Sequence, residues 1–203
     1  MVGVQMACHY GQIYLDDEAF KPYLKVINDL NVPVAVHHTP LPVYWQSIYD
    51  FQNLRREFGR IMDQGVAVGR ELFSNMFEEF PNLKFIHTMF GGNWFAAQTL
   101  MTPHASNKKE EMQRLSSTGA EKIQSYLKNN IFFDMTHAHS WGKEQVECAV
   151  KVCGADHLLF GSSFPVFYGW MSQSVEFMKT LDITQEQRDL MEHGNAQRLF
   201  GIK

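Results

Sequence analysis

Between Val32 and Val36 the chain reads Val-Pro-Val-Ala-Val, with no polar side chain, and it passes directly into His37 and His38. A run so short and so evenly apolar predicts a strand covered on both faces, the condition of parallel strands flanked by helices. Four more runs fit the same description: Val2 to Cys8, Leu83 to His87, Ile131 to Asp134 and His157 to Phe160. Each is too short for a helix and is bounded by Pro, Gly, Asn or Asp. Longer amphipathic stretches separate them. Phe20, Leu24, Ile27 and Leu30 recur at helical spacing behind two candidate caps, Asp16 and Asp17. Further helical patterns run from Ile48 to Gln64, Val66 to Glu79, Trp94 to Met101, Lys108 to Leu127, Lys143 to Val152 and Ser172 to Thr180. The tail from Thr184 to Phe200 reads as two short helices broken at Gly194. Such alternation belongs to the α/β class, and right-handed crossovers make its sheet parallel. With no repeat and no linker in 203 residues, a single domain over 1–203 is the simplest organisation.

Composition removes several function classes. A net charge of -4 offers nothing to attract nucleic acid or an anionic membrane surface, which leaves a small-molecule substrate as the expected partner. Cys8, Cys148 and Cys153 are odd in number and lack C-x-x-C spacing, which argues against a disulfide framework or a thiolate zinc site. Buried thiols in a reducing cytoplasm are the expectation. The first residues carry no charged segment followed by a long apolar run, so neither a signal peptide nor a membrane span is expected. Neither a glycine-rich phosphate loop nor a G-x-S-x-G elbow is present, so a nucleotide site has no support and the serines have weak claims as nucleophiles.

Ligands of parallel α/β sheets sit beyond the carboxyl ends of the strands. That rule selects His37 and His38, then His87, then Asp134 with His137 and His139 behind it, and finally Ser162 and Ser163. Imidazoles at the mouth of such a sheet suit zinc or another first-row divalent ion. Successive strand residues point to opposite sides, so at most one of His37 and His38 faces a common centre. His137 and His139 form an H-x-H, but they follow the strand, and surface loop histidines are the favoured reading. Asp134 reads equally as an acceptor behind the site or as a turn residue. His9, His104, His157 and His193 read as structural. Gly91-Gly92 either brings backbone N–H groups to a ligand or permits a tight turn.

Four segments carry a resemblance: Val32 to His37, Phe80 to His87 with Gly91-Gly92, Gly154 to Pro165, and Gly194 to Gly201. In order and spacing they resemble the later half of the amidohydrolase-related family of metal-dependent TIM-barrel hydrolases. This is the branch that includes aminocarboxymuconate semialdehyde decarboxylase and resorcylate decarboxylase. The resemblance implies a TIM-barrel-like (β/α)8 fold with the first three βα units missing, leaving about five parallel strands with flanking helices. It implies a metal-dependent hydrolase or carboxy-lyase acting on a small organic substrate, with a divalent metal ion, zinc by preference, as cofactor. His37, four residues after Pro33, matches the family's strand-five histidine and would be a metal ligand. His87 matches the strand-six histidine that orients or polarises the reacting group. Ser163 stands where the family has a metal-binding aspartate in its strand-eight turn; His87 and Ser163 are thus the catalytic candidates. An uncharged hydroxyl there, with no strand-one H-x-H, implies that the metal is lost in one reading, and the alternative is a catalytically impaired segment serving as a binding or structural subunit. Five strands leave open edges, so a homo-oligomer or a companion chain completing the barrel is expected.

Overall fold

The parallel sheet builds outward from its apolar runs. Residues 1–102 and 119–202 are described in a computed structural model. The five expected strands are present, all but β6 trimmed: β1 (Val4–Ala7), β4 (Val34–His37), β5 (Phe85–His87), β6 (Ile131–Asp134) and β7 (Leu158–Leu159). They pair in parallel in the order β1-β4-β5-β6-β7, an arc of successive strands joined by helical crossovers. A short antiparallel hairpin of β2 (His9–Tyr10) and β3 (Ile13–Tyr14) follows β1; two-residue strands carry too little pattern to read in sequence.

Register fixes which residues share a face. Ala35 lies opposite Ile86, and Ile86 opposite Phe132; Val36 lies opposite His87, and His87 opposite Phe133. The second row, with Val34, Phe85 and Ile131, packs into the main core against the helices. The first row belongs to the concave face. There Ile86, Phe132 and Leu159 meet Leu199 and Phe200 of the last helix, which covers the amino end of the sheet. Asn195 fixes that helix by donating to the carbonyls of Ala155 and Leu158, both at 2.8 Å.

The helices follow their patterns with three changes. Asp17 accepts from the Ala19 N–H and starts a 3₁₀ turn leading into α1 (Lys21–Leu30), which Asn31 ends in the left-handed region. The break expected near Gly65 is absent. Instead a π turn (Leu54–Phe58) runs straight into α2 (Gly59–Phe73), and the chain breaks at Asn75, at φ 61°, before α3 (Met76–Glu79). Gly194 does not break the tail either. α8 (Gln185–Asp189), capped by Thr184, continues through a π turn (Leu190–Gly194) into α9 (Asn195–Phe200), and Gly194 keeps helical angles. Between these lie α4 (Met89–Met101), α5 (Ala120–Asn129), α6 (Lys143–Cys153) and α7 (Tyr168–Thr180). The first part of the expected Lys108 to Leu127 helix lies outside the described residues, as does His104.

α4 opens unusually. Met89 to Asn93 all have positive φ, between 51° and 70°, before the right-handed helix begins at Trp94. Left-handed backbone costs non-glycine residues about 1–2 kcal/mol each, so packing must hold it. Phe90 is buried edge-on against Phe95 and Trp141, while Gly91 and Gly92 supply close approach. A Cβ on Gly92 would overlap the Ile61 carbonyl and the Gly65 main chain of α2. Gly91-Gly92 is therefore a packing turn that seats α4 on α2. Gly92→Ala should destabilise the fold by at least about 3 kcal/mol, combining overlap and φ strain. Gly11→Ala, at φ 62° with open space around it, should cost only about 1 kcal/mol. Urea unfolding of both variants reads the difference.

Candidate functional site

The carboxyl ends of β4, β6 and β7 meet at one rim on the concave face. His37 shares that face with Ala35; its ring is exposed, stacks on His38 at 4.2 Å between centroids, and its Nδ1 donates to the His38 carbonyl at 2.7 Å. Its Nε2 is the nitrogen left open. His38 is half-buried. Burial, with His37, Arg60 and His137 adding repulsion, pushes its pKa down to about 3, so the ring is neutral at pH 7. Arg60, in the first turn of α2, is also lowered by burial, and its Nε is buried with no hydrogen-bond partner. Among the described residues no carboxylate lies within ion-pair distance of it.

The loops after β6 and β7 supply the other wall. Ser163, at φ 54°, places its Oγ 3.0 Å from His137 Nδ1. His137 stacks on Trp170 at 4.5 Å with planes 20° apart, and burial lowers its pKa. His139 turns away and bonds Ser174 Oγ at 2.9 Å, so only one ring of the H-x-H faces Ser163. The sequence reading of both as surface loop residues misses this His137 contact; nothing in the spacing shows that Ser163 would approach. Asp134 lies beneath the rim, its Oδ1 accepting from the Thr136 N–H and from Thr136 Oγ1. Burial raises its pKa against those hydrogen bonds and against His37. Gly161 packs so closely over Asp134 that a Cβ there would collide with the carboxylate.

The structure does not bring His87 to this rim. Facing away from the row that carries His37, its ring is fully buried between the sheet and α2. Gln64 Nε2 donates to the Val36 carbonyl and to Thr88 Oγ1, both at 3.0 Å, which orients Gln64 Oε1 to accept from His87 Nδ1 at 2.9 Å. His87 Nε2 then meets Glu71 Oε2 at 2.6 Å. Glu71 is buried, its pKa raised by that burial, and its other oxygen has no partner among the described residues. Thr88 Oγ1 reaches on to His38 Nδ1 at 3.5 Å, so His87 touches the rim only through Gln64 and Thr88. Asp63, Gln64 and Glu71 escape a reading of sequence as a site, although three polar residues on the sheet-facing stripe of α2 are a signal that the stripe is not simple packing. His157 is structural, stacked on Phe132 with Nδ1 on the Ile131 carbonyl.

A bound divalent ion needs about four donors around one point. At the rim His37 Nε2 is one, Asp134 is engaged by Thr136, and Ser163 offers an uncharged hydroxyl. Among the described residues the one compact set of three His, Cys, Asp or Glu donors is Cys8, His9 and Asp63, beside β4 on the helix-facing side, where the Cys8 N–H donates to the His37 carbonyl at 2.8 Å. The rim donors therefore do not by themselves fit a metal ion.

The amidohydrolase family model matches residues 1–202. The chain belongs to that family. A 2-keto-4-carboxy-3-hexenedioate hydratase from Sphingobium is 22% identical over 200 residues, covering 95% of this chain and 53% of the relative. Among solved structures, 5-carboxyvanillate decarboxylase LigW from Sphingomonas paucimobilis superposes with a TM-score of 0.83 at 18% identity, covering 100% of this chain and 59% of that one. A dihydroxybenzoic acid decarboxylase from Polaromonas, with bound manganese and 2-nitroresorcinol, superposes with a TM-score of 0.75 at 21% identity, covering 93% and 55%. The chain thus spans little more than half the length of these relatives, and its five-stranded arc is part of their TIM-barrel architecture. Among the described residues no helix is long and apolar enough to cross a membrane.

Removing the His87 ring strands Glu71 in the seam. His87→Ala should cost about 3 kcal/mol or more, from the cavity left behind and the loss of Glu71's hydrogen-bond partner. Asp134→Asn should act oppositely. A carboxyl whose pKa is raised by folding contributes stability below its unfolded pKa and loses it as pH rises through the folded value. The amide should thus raise the thermal midpoint at pH 7, and the gain should vanish in acid below the ordinary carboxyl range. Thermal unfolding of both variants across pH checks this.

Proposed function

We propose that this chain forms the carboxylate-binding wall of an amidohydrolase-family lyase site acting on a small, preferably aromatic, acid. The observation that carries the reading is Arg60, whose buried Nε has no partner among the described residues and which stands beside the neutral ring of His38, with Glu57 near but not within ion-pair distance. A guanidinium held in that condition favours a planar carboxylate, which it can bind with two parallel hydrogen bonds. Trp170, stacked on His137, offers an aromatic flank. The relatives named above act on, or bind, carboxylated or phenolic compounds, which agrees in kind.

Decarboxylation breaks the bond between a carbon and its carboxylate and delivers a proton to that carbon. Hydration adds water across a double bond and likewise protonates carbon. Both need an anion held still and a proton donor at a defined atom. Arg60 and His38 hold the anion. Ser163 Oγ, bonded to His137 Nδ1, relays the proton. His87 acts as a positioning residue, setting His38 through Gln64 and Thr88. No step is routed through a metal; where the complete site holds zinc or manganese, His37 Nε2 is the donor this chain brings to it.

A second reading, a binding subunit without turnover, is favoured by the uncharged hydroxyl of Ser163 in the β7 turn. It shares the anion wall and differs in showing no product.

Because both imidazoles are neutral in the free protein, an anion beside them raises their pKa, and binding takes up protons. Calorimetric titration with 4-hydroxy-3-methoxy-5-nitrobenzoic acid, a ligand of a structural relative, should show proton uptake and an affinity that falls as pH rises from the acid range in which the free imidazoles titrate. Arg60→Ala should weaken binding about tenfold or more, from the loss of a charge-assisted contact. Unchanged affinity in that variant would sink the proposal, and binding without any product from a matching carboxylate would favour the second reading.

A further inference from the structure

We propose that Cys8, His9 and Asp63 form a zinc-class metal site, separate from the side chains of His37 and Ser163, that clamps the end of β1 to α2. Their donor atoms lie within 4.8 Å of one another. Cys8 Sγ is 3.0 Å and His9 Nε2 3.1 Å from the same oxygen, Asp63 Oδ2, although Cys8 and Asp63 are 55 residues apart in sequence. All three are buried, at 0%, 9% and 3% exposure.

The surroundings are those of a ligand set. A metal-bound histidine ordinarily donates its second ring N–H to a carbonyl or carboxylate, which fixes the ring and its tautomer. His9 Nδ1 lies 3.0 Å from the Gly11 carbonyl in the β2–β3 hairpin. A ligating carboxylate is ordinarily held at its other oxygen. Asp63 Oδ1 accepts from Tyr14 OH at 2.7 Å and from the Val43 N–H at 3.4 Å. Thr39 Oγ1, 2.5 Å from His9 Nε2 and 3.4 Å from Asp63 Oδ2, and the Leu41 carbonyl, 3.1 Å from His9 Nε2, are the contacts that an ion would displace or recruit.

Size agrees as well. Bonds of about 2.0–2.3 Å at a tetrahedral centre separate donors by roughly 3.3–3.7 Å; Asp63 Oδ2 stands slightly closer than this to both other donors, so it must draw back as an ion enters. Sulfur, nitrogen and oxygen donors together suit zinc and cobalt and disfavour calcium or magnesium. Binding replaces the S–H of Cys8 by an S–metal bond and releases that proton, with any proton on His9 Nε2, to solvent. Cysteine spacing conceals such a site because its partners are a neighbouring histidine and a distant aspartate. Through Thr39, two residues beyond His37, the clamp also fixes the rim loop.

The test is cobalt(II) titration of the chelator-stripped protein. One equivalent should produce thiolate-to-cobalt charge-transfer absorption, and zinc should displace it. Cys8→Ser, whose hydroxyl still donates to Asp63 and preserves the fold, should abolish the band. Asp63→Asn should weaken cobalt binding at least about tenfold. His37→Ala should leave the band intact, so a failure at the rim does not register here. Absence of the band in the unaltered protein, or its persistence in Cys8→Ser, would overturn the site.

Discussion

The seam between α2 and the sheet is polar where such seams are ordinarily apolar, and the rest of the molecule is arranged around it. Asp63, Gln64 and Glu71 point from one helix toward β1, β4 and β5, and each is buried. A buried carboxylate without partners is severely unfavourable, so the strand ends must supply them: Cys8, His9 and Tyr14 for Asp63, and His87 for Glu71. Those pairings fix the rotation of α2, and the rotation in turn aims Arg60, one turn earlier, at the rim.

Much of the architecture was legible because it follows from period and length. Evenly apolar runs of four or five residues specify parallel strands, and their ends specify the rim; His37 and Ser163 both lie there. His87 shows where such reasoning stops. Phe85-Ile86-His87 is apolar on both faces, so nothing in the strand tells which face meets helices. Only the register with Val36 decides it. Arg60 was invisible for a different reason: a basic residue on an amphipathic helix is ordinarily solvated, and only the structure shows its Nε buried without a partner. Gly65 and Gly194 read as helix breaks because glycine lowers propensity by about 1 kcal/mol, a cost that tertiary packing overrides.

Charge is distributed unevenly between the two sides of the sheet. Behind it, acids meet histidine and hydroxyl partners within hydrogen-bond distance. At the rim the histidines and Arg60 face one another, and burial depresses them together. Glu57, in the π turn before α2, is the acid that offsets Arg60 and His137 at longer range, without reaching ion-pair distance of Arg60.

The contact of Gly92 with Ile61 and Gly65 means that main chain, not side chains, sets the distance between α2 and α4. Val66, Ala96 and Ala97 line the outer groove between these helices without determining how far apart they stand. That outer surface can therefore drift, or be redesigned to carry a label or a binding epitope, while the placement of Arg60, next to the Ile61 contact on the same helix, stays as it is.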